Sequence, residues 1–246
     1  MKIDQISLTI KYPKVDDLLK KYFDNRSSFE KSFFPAITTP VPEGELLEIP
    51  RIILKSKQGH SEIQISQISL SFNVVKFDNG YEENWQLCKK YIDEKIEIIK
   101  EFLFKLLENK AYDFTGLIVS VSEEKDKDAS SLLSNNLLKN KNDNLHDVNV
   151  RYTFVKNKKF YVNFSVQNVR IFNSSANINV AGGLSDDKLD KNIIGIMVDV
   201  NDRYAFNNNE NYKSNIDVVN ELIDIMSDII NNEINNIIDR GEYKDA

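Results

Sequence analysis

Residues 148–166, VNVRYTFVKNKKFYVNFSV, decide the fold class. Val148, Val150, Tyr152 and Phe154 alternate with more polar neighbours, a turn follows over 156–159, and Phe160, Val162, Phe164 and Val166 resume the alternation. A period of two on both sides of a short polar turn marks an antiparallel hairpin with one buried face.

The same period runs upstream. From Pro50, residues 51–55 turn through Lys57-Gln58-Gly59 into Ile63 and Ile65, followed by Ile68, Leu70, Phe72 and Val74. The alternation slips by one at Ser66-Gln67, which would move every later side chain to the opposite face unless a β-bulge or a strand break absorbs the extra residue, and a bulge is the preferred reading. Ile3, Ile6, Leu8 and Ile10 open the chain as a strand, 117–121 read as a short apolar strand, and 193–200 as a buried one.

Two long stretches switch to the helical period. Trp85, Cys88, Ile92, Ile96, Ile99, Leu103 and Leu106 recur at spacings of three and four, and Asn79 with Glu82 resembles an N-terminal cap. At ~1.5 Å per residue, the segment 82–108 predicts a helix of ~40 Å. Ser214 with Asp217 reads as a capping box for a second long helix. Its stripe is Ile216, Val219, Ile223, Met226, Ile230, Ile234 and Ile237, and Gly241 is placed for the C-terminal cap. A short helix is expected at 15–23, with Val15, Leu18, Leu19, Tyr22 and Phe23 on one face. An extended arm punctuated by Pro35, Pro40, Pro42 and Gly44 follows.

The expected class is therefore α+β, antiparallel strands packed against two long amphipathic helices. Residues 123–147 are the most polar stretch and read as a linker with a short helix, between an N-terminal half (1–122) and a C-terminal half (148–246). Each half combines strands with one long helix, the pattern of a duplicated sheet-plus-helix unit.

Composition narrows the function classes. The 246 residues carry a formal charge of -6, so the overall field repels phosphate backbones, and nucleic-acid binding is disfavoured. No run reaches the ~18 apolar residues of a membrane helix, and the opening MKIDQISLTIKYPK lacks a signal-peptide h-region, so a cytoplasmic protein away from membranes is expected. Cys88 is the only cysteine, which excludes an intrachain disulfide and suits a reducing compartment.

Candidate chemistry is sparse. Cys88 falls on an apolar helical stripe, where a thiol packs as a small hydrophobe. His60 and His146 have no second His or Cys nearby, so no zinc site is expected. Glu123-Glu124-Lys125 fits the Glu-x-Lys half of a metal nuclease with Asp113 ten residues upstream; the acids would hold Mg²⁺ and Lys125 would stabilise developing charge. Asp199 and Asp202, at the exit of a strand, could hold a divalent ion or accept a proton, although turn capping is the simpler role and Asn201 stands where a paired aspartate would. Gly182-Gly183 lacks a Walker lysine. No cofactor is expected.

Two blocks carry a family resemblance. IPRIILKSKQGHSEIQISQISLSFNVVKF with YEENWQLCKKYIDEKIEIIKEFL, and IIGIMVDVNDRYAF with SNIDVVNELIDIMSDII, together resemble a sporadically distributed family of bacterial hypothetical proteins of similar length. In that family a paired-strand block leads to a helix, and a late Asp-rich strand end leads to another. The resemblance implies no chemistry, because the family has no established activity; its scattered distribution fits mobile or defence-associated genes. The leading expectation is a non-enzymatic interaction factor of a bacterial conflict or defence system, accessory, antitoxin-like or chaperone-like, with a protein partner or a second copy in a homodimer. The rivals are a metal-dependent hydrolase or nuclease using Asp113, Glu123, Lys125, Asp199 or Asp202, and a small-molecule binder between sheet and helices.

Overall fold

The computed structural model describes residues 1–42, 45–74, 77, 80–108, 111–125, 128–138, 145–172 and 189–244. In chain order the elements are β1 (Lys2–Lys11), α1 (Leu18–Asn25), β2 (Ile37–Thr38), β3 (Ile52–Lys55), β4 (Ser61–Ile65), β5 (Ser69–Val74), α2 (Trp85–Leu106), β6 (Phe114–Glu124) and α3 (Ala129–Leu137). They continue with β7 (Asn149–Lys156), β8 (Phe160–Phe172), β9 (Leu189–Asn201), α4 (Arg203–Asn208), α5 (Ile216–Asp228) and α6 (Ile234–Arg240). The class is α+β. The nine strands of the described residues join one antiparallel sheet in the order β2-β3-β4-β5-β1-β6-β9-β8-β7.

Strand alternation sets which face is covered. Ile6, Leu8 and Ile10 of β1, Leu117, Val119 and Val121 of β6, Phe160, Val162 and Phe164 of β8, and Ile196, Val198 and Val200 of β9 all turn to one face and are buried. They form a single apolar core with the stripes of α2, α5 and α6. The other face carries polar side chains such as Ser7, Thr9, Ser120, Asn163 and Asp199 at many of the alternate positions, as an antiparallel sheet with one wet side should, interrupted by apolar ones towards the ends of β8 and β9. Only α4, at one end, folds over it among the described helices, through Phe206 on Phe114 and Tyr204 on Tyr161.

The chain runs through the sheet twice in the same order. A strand (β1), a short helix (α1), three antiparallel strands (β3, β4, β5) and a long helix (α2) are followed by a strand (β6), a short helix (α3), three strands (β7, β8, β9) and the helices α5 and α6. The spatial order β3-β4-β5-β1 is mirrored by β7-β8-β9-β6, and β1 and β6 adjoin at the centre. The polar stretch 123–147 holds the last residues of β6 and the helix α3, which packs against α6 and β8.

Several local expectations are corrected. The slip at Ser66-Gln67 is a hairpin turn between β4 and β5 rather than a bulge: Ser66 Oγ accepts the Ser69 N–H at 3.0 Å, and Ile65 pairs with Leu70, so both sides of the turn point inward. Asn84, not Asn79, caps α2, its side chain accepting the Leu87 N–H; Asn79 lies outside the described residues. Asn215, not Ser214, caps α5 by accepting the N–H groups of Asp217 and Val218, because Ser214 is buried in a bridge to Tyr112. The second long helix is divided by a π-helical turn at Ile229–Glu233. Ser227 Oγ donates to the Ile223 carbonyl at 2.7 Å just ahead of it, competing for the ladder acceptors, and the wider turn keeps Ile229, Ile230 and Ile234 all buried. Gly241 does cap α6, at φ 65; a Cβ there would also meet Tyr152 Oη at 2.7 Å.

Candidate functional site

The carboxylates singled out in the sequence are split between the two ends of β6. Asp113 precedes its first residue and Glu123 lies near its last, and ten residues at ~3.3 Å each separate them by ~33 Å. Glu123 is ion-paired with Lys125 at 2.7 Å, and Asp113 lies 3.7 Å from Lys213. Asp199 and Asp202 sit at the Asp113 end, since Gly116 pairs with Asn201. Asp199 accepts from the Asn163 amide at 3.1 Å and from the Asn201 amide at 2.9 Å. Asp202 is fully buried and accepts the Thr115 N–H at 2.6 Å and the Tyr212 hydroxyl at 2.8 Å, so both its oxygens hold the turn after β9 in place. Among the described residues, no three His, Cys, Asp or Glu side chains gather where they could hold a metal ion.

The nucleophile and imidazole candidates are likewise apart. Cys88 is buried on α2 with its thiol directed at the Tyr81 carbonyl, and burial pushes that thiol up to about 12. His60 lies among the rings of Phe77, Tyr81 and Tyr91, tilted to the first two and edge-on to the third, while His146 lies beside Arg170 at the far end of β8.

Two features that residue patterns did not signal stand out. The first is Lys95 of α2, only 4% exposed, whose ammonium lies over the rings of Tyr91 at 5.0 Å and Phe33 at 5.6 Å. Beside it the Tyr91 and Ser61 hydroxyls share a 2.7 Å hydrogen bond. Desolvation lowers the Lys95 pKa, outweighing the opposing charge of Glu94. Two aromatic faces partly replace the lost water. In sequence it is one of many lysines on a charged helix.

The second is an apolar surface around α1. The sequence placed Leu18, Leu19, Tyr22 and Phe23 on one face; the structure buries Leu18 and Tyr22 and leaves Leu19 and Phe23, one turn apart, exposed. On one side Phe23 joins Phe29, Phe33, Phe34 and Pro35 around a 460 Å³ groove, with Arg26 and Lys57 at its edge. On the other, Leu19 faces Val41, Pro42 and Leu46 across a 980 Å³ groove with a mixed lining, in which Lys14, Asp16, Lys20, Glu48 and Arg51 contribute charge around the apolar residues. Phe23, Phe34 and Leu46 are at least half exposed, at 50%, 53% and 70%. The arm after α1 thus supplies the second wall of both grooves, and β2 anchors it to β3. The rings beneath are rigidly packed, with Phe29 4.9 Å from Phe102 of α2.

No described helix is long and apolar enough to cross a membrane. The chain matches no family model, and it matches no curated protein.

Proposed function

We propose that this protein acts by binding another protein through the exposed apolar surface of α1 and its arm, without chemistry of its own. The observation that carries this is the pair of grooves flanking α1, whose ridge of Leu19 and Phe23 and whose walls of Phe34 and Leu46 leave large side chains in water. Contiguous apolar side chains on a rigid base are the usual signature of an interaction site, and aromatic anchors supply most of the energy at such surfaces. The stripes of α2 and α5, by contrast, are covered within the chain. An accessory, antitoxin-like or chaperone-like role in a bacterial conflict or defence system rests on the family resemblance alone. Where the partner is a second copy, the same surface makes a twofold homodimer. The mirrored strand order supports origin by duplication of a sheet-plus-helix unit, the arm following the short helix of the first copy.

A photo-crosslinking residue at position 34 tests the proposal in the native host. A discrete adduct that disappears when Phe23→Asp is added, with the melting temperature within a few degrees of the parent, is the expected result. Light scattering then tells a second copy from a different partner. A uniform smear, or an adduct indifferent to Phe23→Asp, refutes it.

A further inference from the structure

The face of the sheet turned away from α2 and α5 dips into a 540 Å³ depression over β6, β8 and β9, at the end remote from α4. Its volume lies within the ~300 to 1,000 Å³ of small-molecule sites. The outward positions of an antiparallel sheet are expected to be polar, yet here they hold Val169, Ile171, Ile193 and Met197, with Ile171 and Met197 about two-fifths exposed at 41% and 42%. Between Ile193 and Met197 on β9 stands Gly195. A strand-centre glycine forgoes a packed side chain and often marks a close approach by something else. Among the described residues nothing requires it: its φ is not positive, and a Cβ would meet Val169 Cγ2 at 3.5 Å and Gln167 Cγ at 3.7 Å, ordinary contacts. The missing side chain keeps the floor of the depression open.

Hydrogen-bonding groups stand at the rim. Ser120 and Ser122 bring hydroxyls, while the Ser165 hydroxyl donates to Asn149 Oδ1 at 3.4 Å and the Gln167 Oε1 accepts from the Asn149 amide at 3.3 Å. Among the described residues lining the depression Asp4 alone is charged, and it accepts the Ser122 hydroxyl at 3.0 Å. An anion would meet the Asp4 carboxylate, whereas a protonated amine would gain a charge-assisted hydrogen bond; Lys191, two positions before Ile193 on β9, is ion-paired with Glu124 at 2.9 Å. We infer that this depression binds a small organic amine in its protonated form, the apolar body lying on Val169, Ile193 and Met197 and the ammonium reaching Asp4. The site is on a different face from the α1 surface and stands independently of the protein-binding role.

Met197 reports on its own site, since the chain has only two other methionines, Met1 and the fully buried Met226. The experiment titrates protein labelled with ¹³C at the methionine methyls with 3-phenylpropylamine and with 3-phenylpropanoate, which share a body and differ in charge. The Met197 signal is expected to shift saturably with the amine while Met226 stays fixed, with the carboxylate binding at least tenfold more weakly. Asp4→Asn, an exposed change compatible with folding, should abolish that preference, and Gly195→Leu should abolish the Met197 response to the amine. The inference is overturned if Met197 does not respond saturably, if the two compounds bind the parent equally, or if Asp4→Asn keeps the preference.

Discussion

Thr115 donates its backbone N–H to Asp202 Oδ1 at 2.6 Å, a bond that ties the exit of β9 to the start of β6. Asp202 was a candidate metal ligand by position, but with Oδ2 accepting the Tyr212 hydroxyl its buried carboxylate works as a clamp on the chain reversal that leads into α4. Burial, followed by the hydrogen bond and charge of Asp202, holds the Tyr212 phenol above its ordinary pKa.

Removing the clamp should be expensive. Asp202→Ala leaves the buried Thr115 N–H without an acceptor and is expected to cost about 3 kcal/mol, while Tyr212→Phe, which removes one donor to a charged group, should cost about 1.5 kcal/mol. Urea unfolding measures both. A loss below 1 kcal/mol for Asp202→Ala would show that the carboxylate is dispensable to the fold.

Lys95 predicts the opposite sign. Its ammonium is desolvated against Tyr91 and Phe33, and the charge of Glu94 offsets that cost only in part, so Lys95→Met, similar in length and apolar, should stabilise the protein by on the order of 1 kcal/mol. The folded-state pKa is lowered, so the unfolded chain holds the proton more tightly. Stability contributed at this position therefore rises as pH climbs from the lowered folded value towards the ordinary ~10.4, and Lys95→Met should flatten that rise. Denaturant curves at neutral and alkaline pH decide; a destabilised methionine variant contradicts the expectation.

Asp128, the N-cap of α3, sets an acid limit. Partial burial pushes its carboxyl up, but hydrogen bonds from the Ser130 and Ser131 hydroxyls and the Ser131 N–H, with the Arg170 charge, outweigh it and hold the pKa at about 2 against an ordinary 3.8. A depressed carboxyl stabilises the fold above its unfolded pKa and loses that contribution as pH falls through the folded value. Hydrogen exchange of α3 in the parent should accelerate as the pH is lowered from 3.8 towards about 2, after correction for intrinsic rates. In Asp128→Asn it should already be fast at pH 5. Equal protection in the two proteins across that range would remove Asp128 from the account.

Cys88 should be inert. With the thiol buried and its pKa raised to about 12, native labelling by a disulfide reagent is expected only at the rate of unfolding, and Cys88→Ser should cost about 1 kcal/mol. Stopped-flow labelling in the absence of denaturant checks this, and completion within seconds would contradict it.

How much of this was legible depends on whether a feature is local. The β7–β8 hairpin, the stripe of α2 and the Gly241 cap were readable because side-chain period and left-handed backbone are properties of neighbouring residues. The turn at Ser66 and the π-helical turn were misread for the complementary reason. A hairpin and a bulge both shift the alternation, and whether Ile65 pairs with Leu70 is decided by a partner strand. Similarly, Asn215 caps α5 because Tyr112, a hundred positions upstream, occupies Ser214.

The candidate sites divide along the same line. From sequence alone came the α+β class, the placement of Cys88 in a packed stripe and the list of acids with no convincing motif, all consequences of composition and short-range spacing. Only the tertiary structure decided that Asp113 and Glu123 stand at opposite ends of β6, that Asp202 is spent on Thr115 and Tyr212, and that Lys95 is caged by rings from two elements. It also decided which side of α1 is covered: Leu18 and Tyr22 face the core while Leu19 and Phe23 face water. The helical period groups all four as apolar. Which of them meets solvent depends on the elements packed alongside, and that information is spread over residues far apart in the chain.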